Sequence, residues 1–440
     1  MSLANRIIKY NCLALIFLSF LVLLYQQVKP FVAISPLQGA IVPSAYQPVS
    51  IETWFDGTYQ KKAEEYLNEN FGFRNFFIRL NNQLLFSFFR KTSAKGVIIG
   101  KEDYLYEIDY IRAYYGEDFV GMDTIQENCR KLKTIQDTLA FANKTILVIM
   151  APGKATYFPE FIPDQLKRRK TITNNEAYLE QFKKYGINYI DLNTYFTLIK
   201  KKSAYPLYPK HGIHWSKYGA YIAFDTIYKW VEKKLGIDLP EVITRKIEVS
   251  DTARYPDTDI LLGMNLLKAP PTYPMAYVDH TTEINENKPR PRLMAVADSY
   301  WWTLNSYSFG NYIFRDETFW YYFKEAYPES YQKHTMVADL DFNEVLERQD
   351  VIIILATEAN MYKIGYGFIN TLYGKIKSGR LHPNDKKAEK AKIDGWVSYI
   401  RGNKVWMEDI RIRSKKEGLS VDSLIKKDAI WFFKKQKSGM

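Results

Sequence analysis

Apolar residues follow three different rhythms along this chain. From Cys12 to Tyr25 they run unbroken as CLALIFLSFLVLLY, with no charge. Extended to Ile7 and Val28, the run is long enough for a helix to cross a bilayer. Arg6 and Lys9 precede it, as expected for an anchor with a cytoplasmic N-terminus. A cleavable signal peptide is the competing reading. Its best small-residue site, Ala33-Ile34-Ser35, is followed by Pro36 and lies well beyond the run, so an uncleaved anchor is expected. The second rhythm is helical. Ile125, Cys129, Leu132, Ile135, Leu139 and Ala142 share one face after a capping-box-like Asp123 and Gln126, and helices are also predicted over Asn175–Tyr185 and Ser216–Leu235. The third is the short, wholly apolar strand: Thr145–Met150, Ile187–Leu192, Leu293–Ala297 and Val351–Leu355. Strands apolar on both faces and separated by helices predict an α/β fold with a mainly parallel central sheet covered on both sides.

Around this body lie less regular stretches. Residues 31–50 read as a linker rich in Pro, Ser, Ala and Gln. Val97-Ile98-Ile99 and Tyr104-Leu105-Tyr106 flank Gly100-Lys101-Glu102-Asp103 as a hairpin. Residues 240–290 hold many Pro and polar residues and no clear core pattern, an excursion before the Leu293 strand. From about Lys386 the chain is basic and helix-like. The expected organisation is an anchor over 1–30, the linker over 31–50, an α/β domain over 51–380 and a basic helical extension over 381–440.

Composition changes this picture little. With 440 residues, 47% hydrophobic and 25% charged, a large core can be buried. The net charge of +12 favours anionic partners. No zinc-finger spacing, RNP-like motif or groove-binding basic helix points to nucleic acid. Two cysteines, Cys12 and Cys129, sit too far apart in role to predict a disulfide, and five histidines without paired spacing predict no metal. No cofactor is implied.

Ligands of open α/β sheets bind at the carboxyl ends of the strands, so the residues just after each strand carry the candidate chemistry. Asp298-Ser299-Tyr300 follows one strand: Ser299 either presents a nucleophile or caps the next helix. His214, in Lys210-His211-Gly212-Ile213-His214-Trp215-Ser216, lies just before a long helix whose positive end disfavours imidazolium, keeping it neutral as a general base; a structural loop histidine is the alternative. After Val351–Ala356 come Thr357, Glu358 and Asn360, offering an orienting charge (Glu358) and an oxyanion donor (Asn360), or ordinary helix caps.

Together these segments resemble a known family. Ala297-Asp298-Ser299-Tyr300 is similar to the Gly-Asp-Ser block of SGNH hydrolases. His214-Trp215-Ser216-Lys217-Tyr218-Gly219-Ala220 resembles the His-Trp-(Thr/Ser)-x-x-Gly-Ala motif of the alginate O-acetylation proteins, in which the histidine block also precedes the serine block. Ile99–Tyr106 and Ala151-Pro152-Gly153-Lys154 with Phe161-Ile162-Pro163 resemble further segments of that group, over roughly residues 50–360. The resemblance implies an SGNH hydrolase-like three-layer sandwich, preceded by one transmembrane helix, in the cytoplasmic membrane with a periplasmic body. It also implies an acetyl-serine mechanism with Ser299 and His214 as catalytic pair; Glu358, placed after the Val351 strand, is the expected orienting acid. Asp298, Tyr300, Thr357 and Asn360 become oxyanion or substrate contacts. The expected partners are an acetyl donor, a polysaccharide acceptor and a multipass membrane acyltransferase. A carbohydrate esterase, or a non-catalytic glycan-binding scaffold, is the alternative. Two positions depart from the family. Ala297 replaces the common Gly. Gly212 stands where an Asp usually precedes the histidine by two residues, leaving Glu358 or Asp191 to serve, or a bare dyad, or an inactive site.

Overall fold

The computed structural model describes residues 3–39, 44–282, 285, 287–305, 313–379 and 385–437. Residues 40–43 of the expected linker, 283, 284 and 286 of the excursion, 306–312 and 380 of the expected α/β domain, and 381–384 and 438–440 of the extension lie outside these.

Ten strands are described: β1 (Val97–Ile99), β2 (Leu105–Glu107), β3 (Thr145–Ala151), β4 (Tyr189–Asp191), β5 (Val242–Ser250), β6 (Met275–Thr282), β7 (Arg292–Ala297), β8 (Arg315–Tyr321), β9 (Glu325–Tyr327) and β10 (Val351–Thr357). Six of them form one sheet in the order β4-β3-β10-β7-β8-β9. All neighbours pair in parallel except β8 with β9. The pleat sends alternate residues of each strand to opposite faces. Leu147, Ile149, Ala295, Ile353 and Leu355 meet the helices Leu192–Ile199, Lys217–Leu235 and Tyr300–Asn305 on one side. Ile146, Val148, Val296, Trp320 and Ile354 meet Met122–Phe141, Asn174–Tyr185, Phe342–Arg348 and Phe368–Lys377 on the other. This is the three-layer α/β sandwich with a mainly parallel sheet. β1 and β2 form the expected hairpin. The Met122–Phe141 helix is entered from Gly121 without a side-chain cap, so Asp123 falls inside its first turn rather than at the cap.

Three regions add to the sandwich. Asn5–Val28 is an exposed helix of 24 residues with mean hydropathy 2.3, long and apolar enough to cross a membrane. Its last turns meet the body at Gly72, where a side chain would collide with the Leu23 carbonyl. Residues 240–290, expected to lack a core pattern, instead build an antiparallel pair, β5 with β6, around a short helix, Asp259–Met264. The C-terminal helices Asp385–Gly402, Lys404–Glu417 and Val421–Lys437 enclose their own core of Ile400, Ile410, Leu424, Ile425 and Ala429.

Candidate active site

The carboxyl ends of β7 and β10 lie side by side, with Ala297 opposite Leu355. The turn after β7 is fixed by Asp298, which is fully buried. Its Oδ2 accepts from the Thr357 N–H (2.8 Å), the Thr357 hydroxyl (2.8 Å), Asn360 Nδ2 (2.8 Å) and the Tyr366 hydroxyl (3.1 Å). Its Oδ1 accepts from the Tyr300 N–H at 3.1 Å. A buried carboxylate is tolerated only when hydrogen-bonded in this way, and here the bonds tie the two strand ends together. Ser299, the next residue, is left half-buried at the rim.

The histidine comes from the loop before the Lys217–Leu235 helix, and each recognisable residue there has a physical task. Ser216 caps the helix, accepting from the Gly219 N–H at 2.9 Å. Trp215 is buried, with its indole N–H on the Thr303 hydroxyl. Gly219 lets the Leu207 carbonyl approach to where a Cβ would sit 2.3 Å away. The Tyr300 hydroxyl donates to the Ile213 carbonyl at 2.7 Å. Thus held, His214 places Nε2 2.9 Å from Ser299 Oγ.

The other ring nitrogen meets a carboxylate that the sequence reading missed. Asp259 Oδ2 lies 2.5 Å from His214 Nδ1, and Asp259 Oδ1 accepts from the Ile213 N–H at 2.9 Å. The aspartate stands at the start of the short helix inside the 240–290 excursion. Gly212 makes this possible: a Cβ there would lie 2.8 Å from the Asp257 carbonyl oxygen and 2.9 Å from that of Pro256. The acid therefore arrives from the far side of the glycine, carried on backbone that occupies the space of the missing side chain. Burial pushes the imidazole pKa down, but the Asp259 charge and hydrogen bond, backed by Asp298 and Glu107, outweigh it and the value is raised. This reverses the expectation that the helix terminus would dominate; a paired carboxylate in direct contact is the stronger influence.

Glu358 is not the orienting acid. It is buried on the other side of the turn, accepting from the Thr156 hydroxyl at 2.5 Å and facing Asn193 Nδ2 at 3.5 Å. Burial lifts its pKa to about 7. Asp191 caps the Leu192–Ile199 helix through the Thr194 N–H. Asp298, Tyr300 and Thr357 are each 0% exposed, so they support the site from behind rather than touch a substrate. Asn360 does reach the cleft. That cleft has a volume of about 540 Å³ and is lined by Ser299, His214 and Asp259 together with Asn360, Tyr322, Tyr362, Lys95 and Lys363, a size ordinary for a small-molecule site.

Lys154 completes the scaffold. Its fully buried ammonium donates to the carbonyls of Lys210 (2.9 Å) and Gly212 (2.5 Å). Burial lowers its pKa to about 7, against the pull of Asp259 and Glu107. Lys154→Met keeps the apolar stem of the side chain but leaves two buried carbonyls without their donor. It is expected to cost about 1–3 kcal/mol, read as a lower denaturant midpoint with unchanged slope. An unshifted midpoint would mean that the loop is held without the lysine.

Residues 97–309 match the SGNH hydrolase-like domain of the acetyltransferase AlgX. Solved structures with a similar fold include the O-acetyltransferase domain of Pseudomonas putida AlgJ, at 17% identity and TM-score 0.44, covering 64% of this chain and 99% of that one. Pseudomonas aeruginosa AlgX follows at 14% identity and TM-score 0.37, covering 62% and 66%. Bacillus cereus PatB1 does so at 11% and 0.34, covering 55% and 91%. No curated protein sequence matches the chain. The stretch that carries both His214 and Ser299 is thus the part of the chain that matches the SGNH hydrolase-like domain of the acetyltransferase AlgX.

Proposed function

We propose that this chain is a carbohydrate O-acetyltransferase that works through an acetyl-Ser299 intermediate. The observation that carries the reading is the unbroken line from Ser299 Oγ through His214 to Asp259, at 2.9 and 2.5 Å, the geometry of an activated serine. His214 Nε2 takes the hydroxyl proton as Oγ attacks the acetyl carbonyl. The imidazolium, stabilised by Asp259, then returns the proton to the departing group. A sugar hydroxyl, deprotonated by the same nitrogen, takes the acetyl group from the serine.

Two N–H groups suit the oxyanion: that of Ser299 at the start of its helix, and one from Asn360. The Asn360 amide has two N–H bonds. Asp298 Oδ2 and Thr357 Oγ1, its acceptors at 2.8 and 3.0 Å, are themselves only 2.8 Å apart. Acceptors that close together suit a single shared N–H, and the Asn360 side chain also lines the cleft, where its second N–H would serve. The exposed apolar helix Asn5–Val28 fits an anchor in the cytoplasmic membrane with the body on the periplasmic side. A multipass acyltransferase delivering acetyl groups is the partner that the family resemblance suggests. The net charge of +12 suits an acidic glycan.

The test uses the full chain in detergent micelles with p-nitrophenyl acetate and uronic-acid oligosaccharides. Oligosaccharide that gains the mass of an acetyl group is the expected product. Free acetate as the sole product would assign an esterase, and no nitrophenolate release at all would leave a binding scaffold.

A further inference from the structure

The cleft holds a residue that the reading above leaves unused. β8 ends at Tyr321, paired with Ala297, the last residue of β7. Tyr322 is therefore delivered beside the Asp298–Ser299 turn, and its N–H donates to the Ala297 carbonyl at 2.9 Å. Tyr322 and Phe323 both adopt left-handed backbone conformations, with φ of 50° and 56°. Two consecutive aromatic residues in this region are uncommon, and such strain gathers at functional sites. The strain has an evident result. Phe323 packs, half-buried, against the core at Trp320, Phe342 and Phe368. Tyr322 turns the opposite way, into the cleft with Ser299 and Asn360. Its ring is held edge-on to Tyr366, centroids 5.1 Å apart, and Tyr366 in turn bonds Asp298. The Lys363 ammonium stands 5.3 Å above the same ring.

We propose that the Tyr322 hydroxyl is a catalytic hydrogen-bond donor to the oxyanion formed when Ser299 attacks the acyl carbonyl. The proposal rests on the acetyl-serine reading above. As the Oγ–C bond forms, the carbonyl π pair moves onto oxygen, the serine proton passes to His214 Nε2, and the tyrosine proton stays on Tyr322. Collapse returns the electron pair to the carbonyl and breaks the bond to the leaving oxygen. Burial, and behind it the charge of Asp298, hold the phenol pKa well above its ordinary value, while the Asn360 and Ser299 side chains pull it the other way. The hydroxyl thus stays protonated in the cleft that Ser299 and Asn360 also line.

The test compares the parent chain, Ser299→Ala and Tyr322→Phe, all full length in detergent, with p-nitrophenyl acetate. Tyr322→Phe keeps the ring and its packing, so its thermal midpoint is expected to match the parent. The rate of the nitrophenolate burst should fall about 10- to 1000-fold, the range for losing one oxyanion donor, with KM changed less than about threefold. Methylboronic acid, which forms a tetrahedral serine adduct, should bind more weakly by a similar factor, a change that mere support of the fold would not produce. A burst rate or boronate affinity within about twofold of the parent would overturn the role of Tyr322 while leaving the acetyl-serine intact. A burst that survives in Ser299→Ala, or is absent from the parent, would overturn both.

Discussion

Replacing Ser299 by alanine should lower the rate of acyl transfer by about 10⁶-fold without unfolding the protein. The hydroxyl makes its 2.9 Å contact with His214 Nε2 at a half-buried rim, so no buried partner is orphaned when it is removed. The turn itself is held by Asp298, not by Ser299: its five bonds to Thr357, Asn360, Tyr366 and Tyr300 remain. Stability and activity should therefore separate cleanly. The measurement is kcat for acetyl ester turnover beside a denaturant melt. Residual activity above about one hundredth of the parent would assign the nucleophile to another group, because a lost nucleophile leaves only the oxyanion donors and binding.

Asp259→Asn is the second large effect. The amide preserves the shape of the carboxylate, yet it removes the charge that stabilises imidazolium and can turn an N–H toward Nδ1, selecting the wrong tautomer. In a serine protease this change costs about 10⁴ in kcat, and a loss of that order is expected here. The pH profile adds an independent sign. In the proposed mechanism His214 acts as a base only when neutral, so activity should rise with pH through its pKa. Asp259 raises that pKa against the lowering effect of burial. Its removal must move the acid limb to lower pH even as the plateau falls. A variant with an unmoved limb, or a loss smaller than about tenfold, would detach Asp259 from the histidine. Glu358→Gln serves as the contrast: this carboxyl contacts Thr156 and Asn193 rather than the imidazole, and the acid limb should stay where it is.

How much of this was legible in the sequence follows from burial. β3, β7 and β10 have core on both faces, so all but their end residues Thr145, Arg292 and Thr357 are apolar and the parallel sheet could be read directly. β8 could not. It begins exposed, at Arg315 and Asp316, and becomes fully buried only at Phe319 and Trp320, a pattern that matches neither rhythm. His214 and Ser299 were visible because strand and helix ends fix where they fall. Asp259 was not: it sits on a helix of six residues, and nothing local ties it to a histidine 45 positions earlier. Glu358 occupied the right place in the chain, but the Thr156 hydroxyl and Gly153, where a Cβ would lie 2.0 Å from its carboxyl oxygen, draw it to the other side of the turn. Order along the chain reveals which residues gather at a sheet edge. It does not reveal which way each side chain turns once there.

The glycine before the histidine has an implication for how such sites can change over generations. An aspartate at 212 and the Pro256-Asp257 backbone compete for one volume, with contacts of 2.8 and 2.9 Å already at the Cβ. The two ways of supplying the acid are mutually exclusive, and a single substitution toward either from the other meets a collision or a missing charge. Exchanging one arrangement for the other would take a paired change through an impaired intermediate, and a scan that scores position 212 alone would miss the carboxylate that reaches His214 from Asp259.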